Sequence, residues 1–398
     1  MNNTAHTIKL QDGTLFNFRR RVKKHVSTLM HAFGEVKDGR KDRGKRHSLG
    51  GILLIIFFGM ISGQTNVKGC WKVAKHHWKF LNKHAEFAHG LPCQTTISRT
   101  LQVCEVDSLI QAAVIWRRLV YGWEPDESAS FDGKTMRGVH GTAGEDGGVI
   151  RHIVSLFTHQ TQQTIGQVGV NEKENEIPAA KRLFTEVDIS GLTLVGDALH
   201  GQKDTARTIL DEGGNYLLFI KGNQAELQEL IEDQFRDPLL KATSAGYRQH
   251  SRGRQITTSV TISNDLDLED LRTDWPGVSF IGVVHRHGTR AEKDGIKQID
   301  ETVCFIASDM DLTAQRAAKL VRSHWQIENN LHWQKDWTFH EDRQTLRLGA
   351  APQVMTFLRS FCIGLMKLIG IISVTDTLQD LQLDPLLHER FALLTRVV

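Results

Sequence analysis

Leu192-Thr-Leu-Val-Gly-Asp197 is the stretch that decides the fold. Its apolar run is too short for a helix and ends in a carboxylate, which reads as a buried strand delivering an acid at its end. Outward from it, Glu176 to Val187 reads as a helix with Pro178 near its first turn. Asp204 to Glu212 reads as a second helix, Tyr216-Leu-Leu-Phe-Ile220 as a strand, and Gln224 to Phe235 as a third helix. Upstream, Ile150 to Phe157 and Thr164 to Val170 are strand candidates, and Ser130 to Asp132 closes a short, weakly apolar one. Three strands, then helix, strand, helix, strand, give a mixed α/β sheet with antiparallel and parallel portions.

The two aspartates so placed, Asp132 and Asp197, are joined by a third acid on a helix. Thr313 to Asp336 carries helical spacing, with Asp311 or Thr313 as its cap. On it Val321, His324, Glu328, Leu331 and Lys335 recur every three or four residues and so share a face. Glu328 stands 131 positions after Asp197, and the interval contains β-rich runs: Gln255 to Ser263, Val278 to His285 and Thr302 to Ala307. This is expected to be an inserted β subdomain at about 236–310. Alone, an aspartate after a strand caps a turn and a helical glutamate faces water. Together, the three form a set able to hold two Mg²⁺ ions, roughly 4 Å apart, against a phosphodiester.

The 398 residues exceed one ordinary core. Charge is divided unevenly: 20 Lys and Arg stand against 8 Asp and Glu through Pro125, leaving 29 against 38 in the remainder. A basic first third points to a polyanionic partner. Lys37, Arg40, Lys41, Arg43, Lys45 and Arg46 crowd the Val36–Arg46 loop. Arg40, Arg43, Lys45 and Arg46 are the DNA-binding candidates there. Five cysteines without a Cys-x-x-Cys pair argue for reduced thiols in a cytoplasmic protein and against a zinc ribbon. Residues 1–25 are polar and basic, so no secretory leader is expected. Ile52–Ile61 is too short to span a bilayer, and Arg359 and Lys367 interrupt Val354–Val374; both read as core helices, and no membrane partner is expected.

The expected organisation is a basic, poorly ordered segment 1–25, a helical DNA-binding domain 26–123, and an α/β catalytic domain 124–398 joined through Glu124–Ser130. Lys221-Gly-Asn-Gln224 follows a strand, where Lys221 and Asn223 reach phosphates or Asn223 caps the next helix. Lys134 and Arg137, beside Asp132, lean to DNA contact. His324, His332 and His340 are eight apart and make no zinc set. Trp325 and Trp333 read as core, and Gly196 as a site of close backbone approach.

The chain resembles a DDE transposase of the H-repeat-associated insertion-sequence family. The resemblance rests on Asp132-Gly-Lys-Thr-Met-Arg-Gly138, Lys173-Glu-Asn-Glu-Ile-Pro178, Gly196-Asp-Ala-Leu-His-Gly-Gln202, Lys221-Gly-Asn-Gln224 and His324-Trp-Gln-Ile-Glu-Asn-Asn-Leu-His-Trp333, continuing to Asp336 and Glu341-Asp342. The Lys37–His47 run resembles that family's associated domain. The resemblance implies an RNase H-like catalytic domain with a β-rich insertion, two divalent ions (Mg²⁺, with Mn²⁺ as substitute), and Asp132, Asp197 and Glu328 as ligands and catalytic residues. It implies transposition: binding of terminal inverted repeats, strand cleavage, and 3′-OH transfer into target DNA by a homodimer on double-stranded DNA. The superfamily's Tyr-Arg-Glu-Lys signature reads Val321, His324, Glu328 and Lys335 here, which leaves hairpin use open and places His324 and Lys335 near DNA. The rival readings are a general RNase H-like nuclease and an element-derived DNA-binding protein without catalysis.

Overall fold

The computed structural model describes residues 29–383, apart from 86, 122–126, 140–149, 172–173, 252, 266–268 and 293–294, together with 7–9 and 15–17, which pair as a short ribbon. The rest of the expected disordered segment 1–25 and most of the Glu124–Ser130 linker lie outside the described residues.

Six helices come first: α1 (Leu29–Gly34), α2 (Leu49–Ile61), α3 (Val67–His76), α4 (Trp78–His84), α5 (Gln94–Gln102) and α6 (Val106–Tyr121). Every residue of α2 is buried, as expected of a helix that is apolar all round. Ser48 starts it, its Oγ accepting from the Gly51 amide at 3.1 Å.

A nine-stranded sheet follows, built from β1 (Ser128–Thr135), β2 (His152–Thr158), β3 (Thr164–Val170), β4 (Thr193–Gly196), β5 (Asn215–Ile220), β6 (Thr243–Ser251), β7 (Arg254–Ser263), β8 (Phe280–Glu292) and β9 (Gly295–Ala307). Its order is β3-β2-β1-β4-β5-β9-β8-β7-β6. The β1–β3 strands run antiparallel, while β1, β4 and β5 lie parallel, joined by the crossover helices α7 (Glu176–Glu186) and α8 (Lys203–Asp211). This is the RNase H-like arrangement. Helices α9 (Ala225–Gln234) and α10 (Glu269–Asp274) complete one covering layer.

Alternation along the strands sorts side chains between the two faces. Leu194, Tyr216, Leu218 and Ile220 join one core with Leu183, Phe184 and Ile209 of α7 and α8. Val195, Leu217 and Phe219 join the opposite core with Ala317, Leu320 and Val321 of α11 (Ala314–His324).

Three expectations are refined in detail. The β1 strand continues past Asp132 to Thr135, so that acid sits within a strand rather than at its end. The β-rich insertion is present and continues the central sheet: β9 pairs antiparallel with β5, and β9, β8, β7 and β6 extend it outward. Its outermost member, β6, escaped the sequence reading because an edge strand that stays largely exposed needs no apolar alternation. Third, the helix from Thr313 is not continuous to Asp336. Thr313 caps α11 as expected, accepting from Arg316 N at 3.2 Å. After α11 the chain widens into a π-helical stretch, Ile327–His332, before α12 (Trp333–Trp337).

The last helices, α13 (Ala351–Leu368) and α14 (Val374–Leu383), return to the N-terminal core. Phe361 of α13 packs 5.3 Å from Phe57 of α2 and 5.7 Å from Trp116 of α6, ring centre to centre. The N-terminal helices and the last described helices thus share one core. No helix among the described residues is long and apolar enough to cross a membrane.

Candidate active site

Register aligns the two aspartates. On the parallel pair β1–β4, Ser130 sits opposite Val195; Asp132 and Asp197 each lie two residues further on, so they keep the same face. That face is the one covered by α11 and the π-helical stretch. Behind it, glycines make room. A Cβ on Gly196 would strike the Phe131 ring, and one on Gly133 would strike the Glu176 carboxylate. The expected close approach at Gly196 is therefore made by a side chain.

Asp132, Asp197 and Glu328 line a single cleft of about 380 Å³ with Ala198, Phe219, Lys221, Arg286, His324 and Trp325. Within it the tightest group is Asp132, Glu328 and His332, whose ligand atoms all lie within 4.8 Å of one another. His332 Nδ1 is 3.5 Å from Asp132 Oδ2 and 3.4 Å from Glu328 Oε2. Asp197 turns one oxygen back to its own loop, Oδ1 accepting from His200 N at 3.3 Å.

Burial pushes the Asp132 carboxyl up to about 6, helped by the charges of Asp197 and Glu176 and opposed by His332. The hydrogen bond from His332 holds Glu328 below the ordinary range, against burial. Glu176 is held down to about 2 by hydrogen bonds from His152 and His200. Burial lowers His324 to about 4, so at neutral pH it is an uncharged imidazole, its Nδ1 3.4 Å from Ser130 Oγ.

These residues fit a divalent cation. The donors are mainly carboxylate oxygens, and the burial and neighbouring negative charge that raise Asp132 are what a bound cation offsets.

The expected DNA-contacting residues fall into two groups. Lys221 is exposed at the cleft, Arg137 is exposed near Asp342, and Arg43 and Arg46 are exposed on the N-terminal loop with Lys45, which pairs with the exposed Asp42 at 2.9 Å. The others are engaged within the protein. Lys134 pairs with Asp336 at 2.8 Å. Arg40 forks onto Asp38 at 2.6 Å and the His47 carbonyl at 2.8 Å. Asn223 does not cap α9; its Nδ2 donates to the Ala198 carbonyl. Lys335 is 1% exposed beside the buried Glu341. A buried ammonium offers no surface to a phosphate, so its place in the signature is structural in this fold.

Sequence reasoning missed His332, although its position four after Glu328 puts both on one side of a helix; it was weighed only with His324 and His340, which, eight apart, make no zinc set. Arg286 and the aromatic surface were missed too. Trp325 and Trp333, expected in the core, are 48% and 44% exposed. Arg286 lies over the Trp325 ring, 5.4 Å from its centre, and Arg322 over Tyr247 at 5.3 Å.

The model of the Transposase DDE domain matches residues 124–365, and the one described as DDE_Tnp_1-associated matches 30–117. Two Escherichia coli K12 proteins, named H repeat-associated putative transposase YhhI and YbfD, are each 29% identical to this chain. The YhhI match spans 86% of this chain and 90% of that protein, and the YbfD match 58% and 92%. A piggyBac transposase, solved as a synaptic complex with hairpin DNA, superposes over 89% of this chain and 76% of its own at 10% identity, with a TM-score of only 0.41. The chain belongs to the DDE transposases, enzymes that act on DNA with divalent metal ions, and counts H repeat-associated proteins among its relatives.

Proposed function

We propose that this transposase binds the terminal inverted repeats of its own insertion sequence, cleaves the strand at each end with Mg²⁺, and directs the released 3′-OH into target DNA. The observation that carries this reading is the convergence of Asp132, Asp197 and Glu328 on one cleft, with cations at its rim. Two bound Mg²⁺ would be held by those three carboxylates and would activate the attacking oxygen and neutralise the leaving one.

The chain's own residues do the rest. Lys221 and Arg286 hold backbone phosphate across the cleft mouth. Neutral His324 adds no positive charge beside the two aspartates. Trp325, half exposed under Arg286, offers a flat surface against which an unstacked base can rest. Arg43, Lys45 and Arg46 on the N-terminal loop supply charge for end binding. No covalent link between protein and DNA is required, since water and then the 3′-OH serve as nucleophiles. Joining two ends requires two such clefts, hence a homodimer on DNA.

Incubating the protein with element-end duplexes, a supercoiled target plasmid and Mg²⁺ tests this reading. Plasmid carrying covalently joined ends is the expected product. Cleaved ends without joining would point to a plain nuclease, and end binding without cleavage to a DNA-binding remnant.

A further inference from the structure

His332 stands out among the buried polar groups. The ring is 4% exposed, and its Nε2 has no hydrogen-bond partner among the described residues. All its polar interactions are therefore made at Nδ1, which faces Asp132 and Glu328. At 3.5 and 3.4 Å these contacts are long for hydrogen bonds, whose N···O separations lie near 2.9 Å. They are close to another geometry. Neighbouring ligands of an octahedral ion, each about 2.1 Å from it, stand about 3 Å apart. The three donor atoms lie within 4.8 Å of one another and would draw closer to share one ion.

The π-helical stretch brings this about. It carries both Glu328 and His332, and the widened turn leaves Glu328 out in the cleft while His332, four residues on, sits buried behind it. Such insertions in helices recur where a side chain must be re-aimed at a functional site.

We propose that His332 Nδ1 is a ligand of the ion shared by Asp132 and Glu328, giving a mixed oxygen–nitrogen site that prefers Mn²⁺ to Mg²⁺. An imidazole nitrogen suits a transition-metal ion, whereas Mg²⁺ favours oxygen donors alone. The inference rests on the reading that Asp132 and Glu328 hold a catalytic ion.

Pulsed electron paramagnetic resonance on the full chain loaded with Mn²⁺ tests it without DNA or turnover. The expected spectrum carries a directly bound imidazole nitrogen coupling that disappears in His332→Asn, whose Oδ1 falls near the place of Nδ1. By calorimetry, His332→Asn should bind Mn²⁺ roughly tenfold or more weakly while Mg²⁺ affinity moves less. Mn²⁺ uptake by the unaltered protein without nitrogen coupling, or coupling that survives His332→Asn, would overturn this inference alone. No uptake of either ion would overturn the metal-site reading beneath it as well.

Discussion

Asn223 donates a 2.6 Å hydrogen bond from Nδ2 to the carbonyl of Ala198, the residue that follows Asp197. The loop after β5 thereby holds the turn after β4, and with it the direction of one carboxylate proposed to be catalytic. Removing the amide with Asn223→Ala should cost about 1 kcal/mol of stability. It should lower the cleavage rate several-fold more than it weakens end binding, because a loosened Asp197 misplaces the reacting centre rather than the DNA. Parallel cleavage and filter-binding assays check this; equal losses in both would assign Asn223 to DNA contact instead.

Asp132 gives a pH dependence with a definite sign. Its folded pKa of about 6 lies above its ordinary 3.8, so the folded chain retains a proton that the unfolded chain releases. Stability is then lost as pH rises through that window and stays lower above it. Asp132→Asn should be more stable than the unaltered protein by about 1–3 kcal/mol at pH 7.5 without divalent ions. Urea denaturation should show that gap closing at low pH, and closing at pH 7.5 once Mg²⁺ or Mn²⁺ is added.

Beneath the site, Glu341 is fully buried, 3.2 Å from Arg359 and hydrogen-bonded by Thr356. Lys335, lowered to about 8 by burial, draws on the same carboxylate. Glu341→Gln leaves two buried cations uncompensated and should cost about 3–5 kcal/mol. Lys335→Met removes a buried cation and leaves Glu341 with Arg359, so it should cost less. Denaturant midpoints of the two variants give the comparison, and the reverse order would refute this account of the cluster.

Salt dependence separates cations at the surface from those inside. Lys221→Ala and Arg286→Ala should each reduce the slope of log K against log salt for element-end binding by about 1. Lys335→Met should leave that slope unchanged.

The alternating core of the sheet was legible in the sequence because β4, β5 and the crossover helices α7 and α8 carry their own periodicity in short, uninterrupted runs. Of the three acids, Asp197 ends a run whose secondary structure was clear, whereas Asp132 follows a short, weakly apolar run and Glu328 lies on a helix that reads as regular. What escaped notice depends on tertiary context. An edge strand such as β6 lacks an apolar face to read. The π-helical widening at Ile327–His332 changes helix phase without a proline or glycine to mark it. A face drawn for a regular helix no longer applies beyond Gln326, and the misread Trp333 lies there. The joining of β9 to β5, which makes the insertion part of the catalytic sheet, rests on pairing between strands far apart in the chain.

The most direct test is cleavage of an end-labelled inverted-repeat duplex with Mg²⁺ by Asp132→Asn, Asp197→Ala and Glu328→Gln, each compared with its DNA binding. All three should lose strand cleavage by at least about a thousandfold while binding the duplex within a few-fold of the unaltered protein. Near-normal cleavage by any one of them would contradict the claim that these acids form the catalytic centre.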